Sequence, residues 1–246
     1  MERFLNKVIC GETIEEMAKL PDKSIDMILC DLPYGTTQNK WDSVIPLIEL
    51  WQQYCRIIKT NGAIVLTSAQ PFTSNLIISN LDMFKYELIW KKDNGTGFLN
   101  AKKQPLRNHE SIIIFYKQQP VYNPQMREGR PYAIKTGATK SLNYGKQIDV
   151  HTECADGLRY PLTVVDFTRD KEKQHPTQKP VALFGYLIKT YTNEGDLVLD
   201  NTAGSCTTAV ACIRTKRNYI CIEKEQSYCD IGEKRIKEEL KKVPLF

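Results

Sequence analysis

The sequence predicts an α/β protein with a mostly parallel, doubly wound sheet that helices cover on both faces. Short, largely apolar runs at residues 25–30, 63–67 and 197–199 are typical of strands buried inside such a sheet. Between these runs lie segments whose apolar residues recur at three- and four-residue steps, the spacing of amphipathic helices. Strands and helices therefore alternate, which indicates parallel strands joined by crossover helices.

The first 117 residues contain five predicted strands and three predicted helices. The clearest helix covers residues 44–58, where apolar side chains repeat on one face and Asn61-Gly62 follows as a stop signal. Another helix has Pro71 near its first turn, a position that favours proline. The strands are predicted at 7–10, 25–30, 63–67, 86–91 and 111–117, and the other two helices at 13–20 and 71–82.

Residues 118–174 differ in character from the rest of the chain. They are rich in Pro, Gly, Tyr and basic residues without sustained periodicity, and only 162–167 resembles a strand. The alternating pattern then resumes, with helices at 180–192, 206–215 and 226–240 and strands at 196–200 and 219–223. We therefore divide the chain into a first half at 1–117, an insert at 118–174, and a second half of the same domain at 175–246.

Composition limits the class of protein. The 246 residues, 41% of them hydrophobic, can bury the core of one large domain or of one domain with an insert. No signal-like apolar stretch opens the chain, and no run approaches the roughly 18 apolar residues of a membrane span. We therefore expect a soluble, cytoplasmic protein. Eight cysteines occur without a C-x-x-C pair and three histidines lie far apart, which predicts reduced, packed thiols and no metal site.

The net charge of +5 is distributed unevenly. Residues 94–147 contain nine basic residues against two acidic ones, a local balance of +7, so the rest of the chain carries about −2. A run of charge is often only a solvated surface. Here, however, the basic residues are interleaved with aromatic ones, namely Phe98, Tyr116, Tyr122, Tyr132 and Tyr144, and this combination favours contact with nucleic acid.

The first chemical motif, Asp31-Leu32-Pro33-Tyr34-Gly35, follows the predicted strand at 25–30. A carboxylate, a proline-fixed carbonyl and an aromatic ring at the end of a strand can hold a planar amine by its two hydrogens and its face. An ordinary turn with a packed aromatic ring would look the same, so the motif needs a partner before it predicts a function.

That partner lies near the C-terminus. The strand at 196–200 runs into a turn of small residues and then directly into a helix, and Glu223 ends the next strand. Such a turn lets a ligand approach the backbone, and an acid at the neighbouring strand end can accept hydrogen bonds from ribose hydroxyls. Both glycine-rich phosphate-binding patterns are absent, so the pair predicts the nucleoside site of a Rossmann-like fold.

The order of the two motifs also predicts their meeting point. If the strand at 197–199 lies beside the strand at 25–30, the sheet reverses its winding between them. Ligands of open α/β sheets bind outside the carboxyl ends of strands at such a switch point. Gly204 and Asp31 would then face one crevice.

These motifs together resemble the amino-group DNA methyltransferases, specifically the permuted β class in which the catalytic motif precedes the cofactor motif. The catalytic motif of that family is Asp, Asn or Ser, then Pro-Pro, then an aromatic residue, and residues 31–34 match it except that Leu32 replaces the first proline. The cofactor motif, D-x-F-x-G-S-G-T-T, is matched by residues 200–208 except for Thr202 and Cys206, which replace the aromatic residue and the second glycine.

The resemblance implies a class I methyltransferase fold with a seven-stranded sheet, and S-adenosylmethionine as the cofactor. It implies that Asp31, Leu32, Pro33 and Tyr34 act on the amine. Glu223 matches the acidic ribose ligand, and the segment 175–181 matches one that packs against the methionine end of the cofactor. The residues implied in cofactor binding are Glu12, Lys179, Asp200, Thr202, Ala203, Gly204, Ser205, Thr207, Thr208 and Glu223.

The implied reaction is transfer of a methyl group to the exocyclic amine of adenine in duplex DNA, with the base flipped out. Amino-cytosine remains an alternative, and RNA, a protein glutamine or an inactive DNA-binding relative are further ones. The insert would read the sequence, and a homodimer and a cognate restriction enzyme are compatible with the resemblance. From charge alone, the DNA contacts are predicted at Lys40, Lys102, Lys103, Arg107, Arg127 and Arg130.

Overall fold

A computed structural model describes residues 1–35, 43–136, 140–141, 145–146, 150–170 and 178–242. The chain divides into two compact units, one formed by residues 1–123 and 163–246 and the other by residues 124–162. In the described part of the chain, no helix is long and apolar enough to cross a membrane.

The larger unit is built on one eight-stranded sheet. Its strands are β1 (Lys7–Cys10), β2 (Ile25–Asp31), β3 (Ile58–Ser68), β4 (Phe84–Thr96), β5 (Arg107–Phe115), β12 (Val164–Asp166), β13 (Leu197–Asp200) and β14 (Asn218–Glu223). They lie in the order β1-β14-β13-β2-β3-β5-β4-β12, and only β5 runs antiparallel to its neighbours β3 and β4. The predicted α/β class with a mostly parallel sheet is therefore confirmed. The eighth strand is the short β12, which pairs in parallel with β4 at the sheet edge.

Within the described residues, six helices cover the two faces of this sheet: α1 (Thr13–Ala18), α2 (Leu47–Ile57), α3 (Phe72–Ile78), α4 (Val181–Tyr191), α5 (Thr207–Thr215) and α6 (Gln226–Leu240). Helices α1 to α3 pack on one face, where Ile28 and Cys30 of β2 point. Helices α4 to α6 pack on the other face, against Met27 and Leu29. Because neighbouring side chains of a strand point to opposite faces, an apolar run such as β2 is explained by burial on both sides.

Helix α2 begins at Leu47, later than the periodicity predicts, with Pro46 at its N-terminal cap position. The strand after it begins at Ile58, well before the predicted residue 63, and pairs there with Ile25 of β2. The pairing at this end of β3 is made by the backbone, so it leaves no apolar pattern in the sequence.

The predicted reversal of winding is present between β13 and β2. Val198 pairs with Met27 and Leu199 with Ile28, both in parallel register. From this pair the chain proceeds outward in opposite directions, through α5 to β14 on one side and through α2 to β3 on the other. The carboxyl ends of β13 and β2 are therefore adjacent, and they place Asp200 beside Asp31.

The smaller unit consists of short antiparallel pairs. Its strands are β6 (Arg127–Glu128), β7 (Tyr132–Thr136), β8 (Lys140–Ser141), β9 (Gly145–Lys146), β10 (Val150–Cys154) and β11 (Leu158–Arg159). The pairs are β7 with β10, β6 with β11, and β8 with β9. These hairpins explain the lack of helical periodicity in this part of the chain.

Candidate active site

A cavity of about 670 Å³ opens at the carboxyl ends of β13 and β2. It brings together residues that the sequence predicts for two different tasks. Its walls include Glu12, Asp31, Leu32, Pro33, Tyr34, Lys179, Asp200, Thr202, Ala203, Gly204, Ser205, Thr207 and Glu223. The amine motif and the nucleoside motif therefore share one space, as the predicted switch point requires.

The carboxylate of Asp31 is held on both oxygens. Its Oδ1 accepts hydrogen bonds from the Tyr34 hydroxyl at 2.7 Å and from the Thr67 hydroxyl at 2.5 Å. Its Oδ2 accepts from Lys179 Nζ at 2.6 Å. Thr67 is placed by the sheet itself, because it pairs with Asp31 across the parallel strands β2 and β3. The carboxylate is thus oriented before any substrate arrives.

Tyr34 is fixed by its hydroxyl and by one face of its ring. The ring stacks on Phe72 with centroids 5.4 Å apart and an interplanar angle of 26°. Burial, together with the negative charges of Asp31 and Glu110, raises the pKa of Tyr34 well above its usual value. The phenol therefore keeps its proton and acts as a hydrogen-bond donor.

Leu32 departs from the family motif without leaving the turn unsupported. Its side chain is 3% exposed and packs in the apolar cluster on the α1–α3 face of the sheet. Burial of a leucine side chain contributes about 2 kcal/mol, and here it anchors the backbone directly after Asp31. Packing at this position replaces the stiffness that a proline would supply.

Lys179 joins the catalytic motif to a second carboxylate that sequence reasoning missed. Its Nζ lies 2.6 Å from Asp31 Oδ2 and 3.2 Å from Glu110 Oε2. Glu110 in turn pairs through Oε1 with Lys92 Nζ at 2.5 Å. Burial alone would raise the pKa of Glu110, but the ammonium groups of Lys179 and Lys92 outweigh it and hold that pKa below its usual value. Burial likewise acts to lower the pKa of Lys179, yet Asp31 and Glu110 raise it above the usual value.

The cofactor turn is tied to the next strand through Glu223. The backbone N–H of Gly204 donates to Glu223 Oε2 at 2.7 Å, and the N–H of Glu225 donates to Oε1 at 2.9 Å. Gly204 adopts the left-handed conformation, with φ of 51°, which glycine reaches without steric cost. Glu223 is only 9% exposed, and the part of it that remains accessible lines the cavity.

Thr202 links the two motifs directly. Its hydroxyl donates to the backbone carbonyl of Asp31 at 3.1 Å, across 171 residues of sequence. The family pattern has an aromatic residue at this position. In this chain the threonine hydroxyl holds the ends of β13 and β2 together.

The carboxylate of Asp200 holds the cofactor turn through two hydrogen bonds. Its Oδ1 accepts from the Thr202 N–H at 3.1 Å, and its Oδ2 accepts from the Thr208 hydroxyl at 2.5 Å. Burial raises the pKa of Asp200 to about 7, although these two hydrogen bonds act in the opposite direction. Thr208 is fully buried and is not among the residues that line the cavity, so it acts on the site through Asp200.

Helix α6 fixes the end of the cofactor turn. Arg235 donates to the Ser205 carbonyl at 2.5 Å and to the Ser205 hydroxyl at 2.9 Å. It also reaches the Thr207 hydroxyl at 3.3 Å. Cys206, between these two residues, caps helix α5 in the left-handed conformation with φ of 58°. The second departure from the family motif therefore occupies a backbone conformation that favours glycine.

Asn201 is a further residue that sequence reasoning missed. Its side-chain carbonyl accepts from the Tyr54 hydroxyl at 2.6 Å and from the Cys30 thiol at 2.8 Å. Its backbone carbonyl accepts from the Thr13 hydroxyl at 2.6 Å. This residue lines the cavity and connects α1, α2 and β2. Burial raises the pKa of Cys30 well above its usual value, so the thiol beside Asp31 stays protonated.

The residues that sequence reasoning missed lie on elements far apart in the chain. Thr67 could have been found from the register of β2 and β3, because both strands end at the same level. Glu110 is a charged residue next to the apolar run of β5, a position at which a buried acid needs a partner. Lys92 and Asn201 carry no comparable signal in the sequence.

The predicted DNA contacts fall into three groups. Lys102 and Lys103 are exposed on the connection between β4 and β5, and Arg107 is exposed at the start of β5, where it donates to the Gln70 carbonyl at 3.3 Å. Thr96, the last residue of β4, lines the cavity, so the connection that follows it begins at the edge of the cavity. Arg127 and Arg130 are exposed in the smaller unit. Lys40 lies outside the described residues.

Residues 25–234 match the family model for DNA methylases, N6_N4_Mtase. The chain belongs to this family. The resemblance carried by residues 31–34, 200–208 and 223 is thereby confirmed, and this DNA methylase is an enzyme of the amino-methyltransferase type.

Three known proteins illustrate the similarity. The methylase is 30% identical to the type II methyltransferase M.HinfI of Haemophilus influenzae over 96% of this chain and 69% of that protein. It is also 30% identical to the DNA adenine methyltransferase YhdJ of Escherichia coli K12 over 95% of this chain and 84% of that protein. A crystal structure of an M1.HpyAVI–SAM complex superimposes with a TM-score of 0.64 and 24% identity, covering 93% of this chain and 98% of that one.

Proposed function

We propose that this DNA methylase transfers a methyl group from S-adenosylmethionine to the exocyclic amine of adenine at specific sites in duplex DNA. The observation that carries the proposal is the shared cavity, in which the Asp31 carboxylate and the Gly204–Glu223 pair stand at the ends of adjacent strands. One space can therefore receive both a nucleoside cofactor and an amine acceptor.

The cofactor side fits a nucleoside by its donor and acceptor set. Each oxygen of Glu223 accepts one backbone N–H, and a carboxylate oxygen has a further lone pair for a ribose hydroxyl. The turn at Gly204 has no side chain to obstruct an adenosine beside the N-terminus of α5. When bound, S-adenosylmethionine supplies an electrophilic methyl group on a sulfonium.

The acceptor side fits a planar amine. An exocyclic amine is a poor nucleophile because its lone pair is delocalised into the ring. Asp31 would accept one N–H and a backbone carbonyl near Leu32 and Pro33 the other, which directs the nitrogen lone pair toward the cofactor side of the cavity. Tyr34 would stack on the base with the ring face that is turned away from Phe72.

Adenine is favoured over cytosine on two grounds. Aspartate at the first motif position is typical of the adenine enzymes that this chain resembles, and the relative YhdJ is named as an adenine methyltransferase. Cytosine also presents an amine beside a ring nitrogen, so it remains the second candidate.

The surface around the cavity supports a duplex as the substrate. Lys102, Lys103 and Arg107 supply positive charge beside the site, and the neighbouring Phe98 and Leu99 are 77% and 84% exposed. Basic side chains bind phosphates, and exposed apolar side chains next to them can occupy the gap that a flipped base leaves. Arg127 and Arg130 in the smaller unit would contribute to reading the sequence.

Sequencing of modified bases in DNA tests this proposal. DNA from cells that express the wild type should carry N6-methyladenine at one short sequence, and DNA from cells that express Asp31→Ala should carry none. If methyl groups were found only on cytosine, the substrate would be cytosine and not adenine. Transfer of tritiated methyl groups only to RNA or protein, in parallel assays with the purified enzyme, would contradict the DNA function.

A further inference from the structure

Four charged side chains form one continuous row that ends at the catalytic carboxylate. Lys92 pairs with Glu110 Oε1 at 2.5 Å, Glu110 Oε2 lies 3.2 Å from Lys179, and Lys179 lies 2.6 Å from Asp31 Oδ2. The side chains of Lys92, Glu110 and Lys179 are only 7%, 14% and 7% exposed. The row contains two cations and two anions, so each charge has a partner although three of the side chains are largely buried.

This arrangement conflicts with the task of Asp31. Its Oδ1 already accepts two hydroxyl hydrogen bonds, and its Oδ2 accepts the Lys179 ammonium. An amine N–H that approaches Asp31 from the cavity therefore has only the remaining lone pair of Oδ2 available, and it must share that oxygen with the Lys179 ammonium. The hydroxyls belong to residues anchored by the sheet and by ring stacking, whereas Lys179 has a flexible side chain.

Glu110 offers Lys179 another place. Its Oε2 is buried and accepts no hydrogen bond within the described residues, although the Lys179 ammonium lies close by. An ammonium that left Asp31 without a second acceptor would become an unpaired buried charge, which is strongly unfavourable. Because Lys179 already lies 3.2 Å from Glu110 Oε2, a shift of the lysine terminus gives up the ion pair with Asp31 and shortens the one with Glu110.

We propose that Lys179 is a positioning residue that moves from Asp31 Oδ2 to Glu110 Oε2 when the substrate amine enters, and that Glu110 is the acceptor held ready for it. Lys92 keeps Glu110 in place through its other oxygen. In the free enzyme Lys179 balances the charge of Asp31, and in the complex it leaves that oxygen to the amine. This inference rests on the proposed function, because it takes Asp31 as the acceptor of the amine N–H.

A double-mutant cycle tests the inference. Single-turnover methylation rates would be compared for the wild type, Glu110→Gln, Lys179→Met and the double variant. The substrate would be unmethylated duplex DNA that contains the sequence the enzyme methylates. Glu110→Gln should slow transfer by about 10²-fold, because Lys179 then remains on Asp31. The same substitution should cost less than about threefold when Lys179 is already Met, because no ammonium has to be moved.

Two measurements separate this role from a structural one. Cofactor affinity by calorimetry should be the same for the wild type and Glu110→Gln, and thermal unfolding should show that all four proteins are folded. If Glu110→Gln does not fold, Glu110→Asp can be used in its place. This substitution keeps the negative charge but, with a shorter side chain, moves the acceptor away from Lys179. Glu110→Asp should slow transfer in the wild-type background and should have little effect on the rate in the Lys179→Met background.

The outcomes are distinguishable. If the wild type is active and the Glu110 substitution lowers the methylation rate by the same factor with and without Lys179, this inference is overturned and the proposed function stands. A folded wild type that methylates no DNA would overturn the proposed function and the inference with it.

Discussion

The thiol of Cys206 lies directly against the backbone of Gly232. A Cβ atom built on Gly232 would overlap Cys206 Sγ and stand 3.1 Å from Cys206 Cβ. Cys206 occupies the cofactor turn where the family motif has glycine, and Gly232 lies within helix α6. The larger residue in the turn is thus accommodated by the absence of a side chain on the facing helix.

Substituting Gly232 should therefore have opposite effects in two backgrounds. In the wild type, Gly232→Ala should lower the free energy of unfolding by about 1–2 kcal/mol, because the steric overlap outweighs the better helix propensity of alanine. In a Cys206→Gly background, the same change should stabilise the protein by up to about 1 kcal/mol. Urea unfolding of the four proteins measures both values, and an equal cost in the two backgrounds would contradict the contact.

Asp31→Ala should reduce the rate of methyl transfer by at least about 10²-fold and leave cofactor affinity nearly unchanged. The physical reason is that the carboxylate orients the amine, while the cofactor turn is held by Glu223 and Asp200. Single-turnover rates and calorimetric cofactor titrations provide the two readouts. Asp22→Ala removes an exposed carboxylate that pairs with Arg56 and serves as the matched control, with full activity expected.

Glu223→Gln should weaken cofactor binding by about 10-fold or more, because charge-assisted hydrogen bonds to the ribose hydroxyls and to Gly204 become neutral ones. The transfer rate at saturating cofactor should change much less, since Glu223 does not contact the amine side of the cavity. Glu225→Gln alters an exposed neighbour and should leave the dissociation constant as it is. Equal affinities of the wild type and Glu223→Gln would exclude Glu223 as a cofactor ligand.

The buried carboxyl of Asp200 should make stability depend on pH. Because burial raises its pKa from 3.8 to about 7, the native state keeps a proton that the unfolded chain has already lost between these values. The free energy of unfolding should therefore fall as pH rises through this window, by up to about 1.4 kcal/mol per pH unit from this group.

Asp200→Asn should remove that contribution. Measured by urea unfolding at a series of pH values between about 4 and 7, the variant should show a flatter dependence than the wild type. Asp230→Asn, on an exposed position of α6, should retain the wild-type slope. Parallel curves for the wild type and Asp200→Asn would show that Asp200 does not titrate in this range.

The lysines beside the cavity should be visible in the salt dependence of DNA binding. Replacing both Lys102 and Lys103 with alanine should reduce the slope of log K against log salt concentration by roughly 0.9 for each phosphate that the protein no longer neutralises. Fluorescence anisotropy on a duplex with the methylated site measures this slope. Lys241→Ala, on the exposed end of α6, should leave it unchanged. If the slope is the same for all three proteins, the connection between β4 and β5 does not contact DNA.

Much of the sheet could be predicted because its strands are buried on both faces. The run at 25–30 is apolar in consecutive residues, since Met27 and Ile28 face different helix layers. The edge strand β12 lies within the strand-like run at 162–167. By contrast, the early part of β3, which begins at Ile58, is defined mainly by backbone pairing. Backbone hydrogen bonds are available to every residue except proline, so such segments leave little trace in the side-chain pattern.

The sequence by itself determined which groups this protein brings to its chemistry: Asp31 and Tyr34 at one strand end, Gly204 and Glu223 at another, and the order in which they occur. Only the tertiary structure decided what those groups touch. It placed Thr67 and Lys179 on the Asp31 carboxylate, gave Lys179 a second acceptor in Glu110, and set Cys206 against Gly232. These contacts join residues from separate strands, helices and loops, and the distances between their atoms are fixed by packing, which no local pattern along the chain encodes.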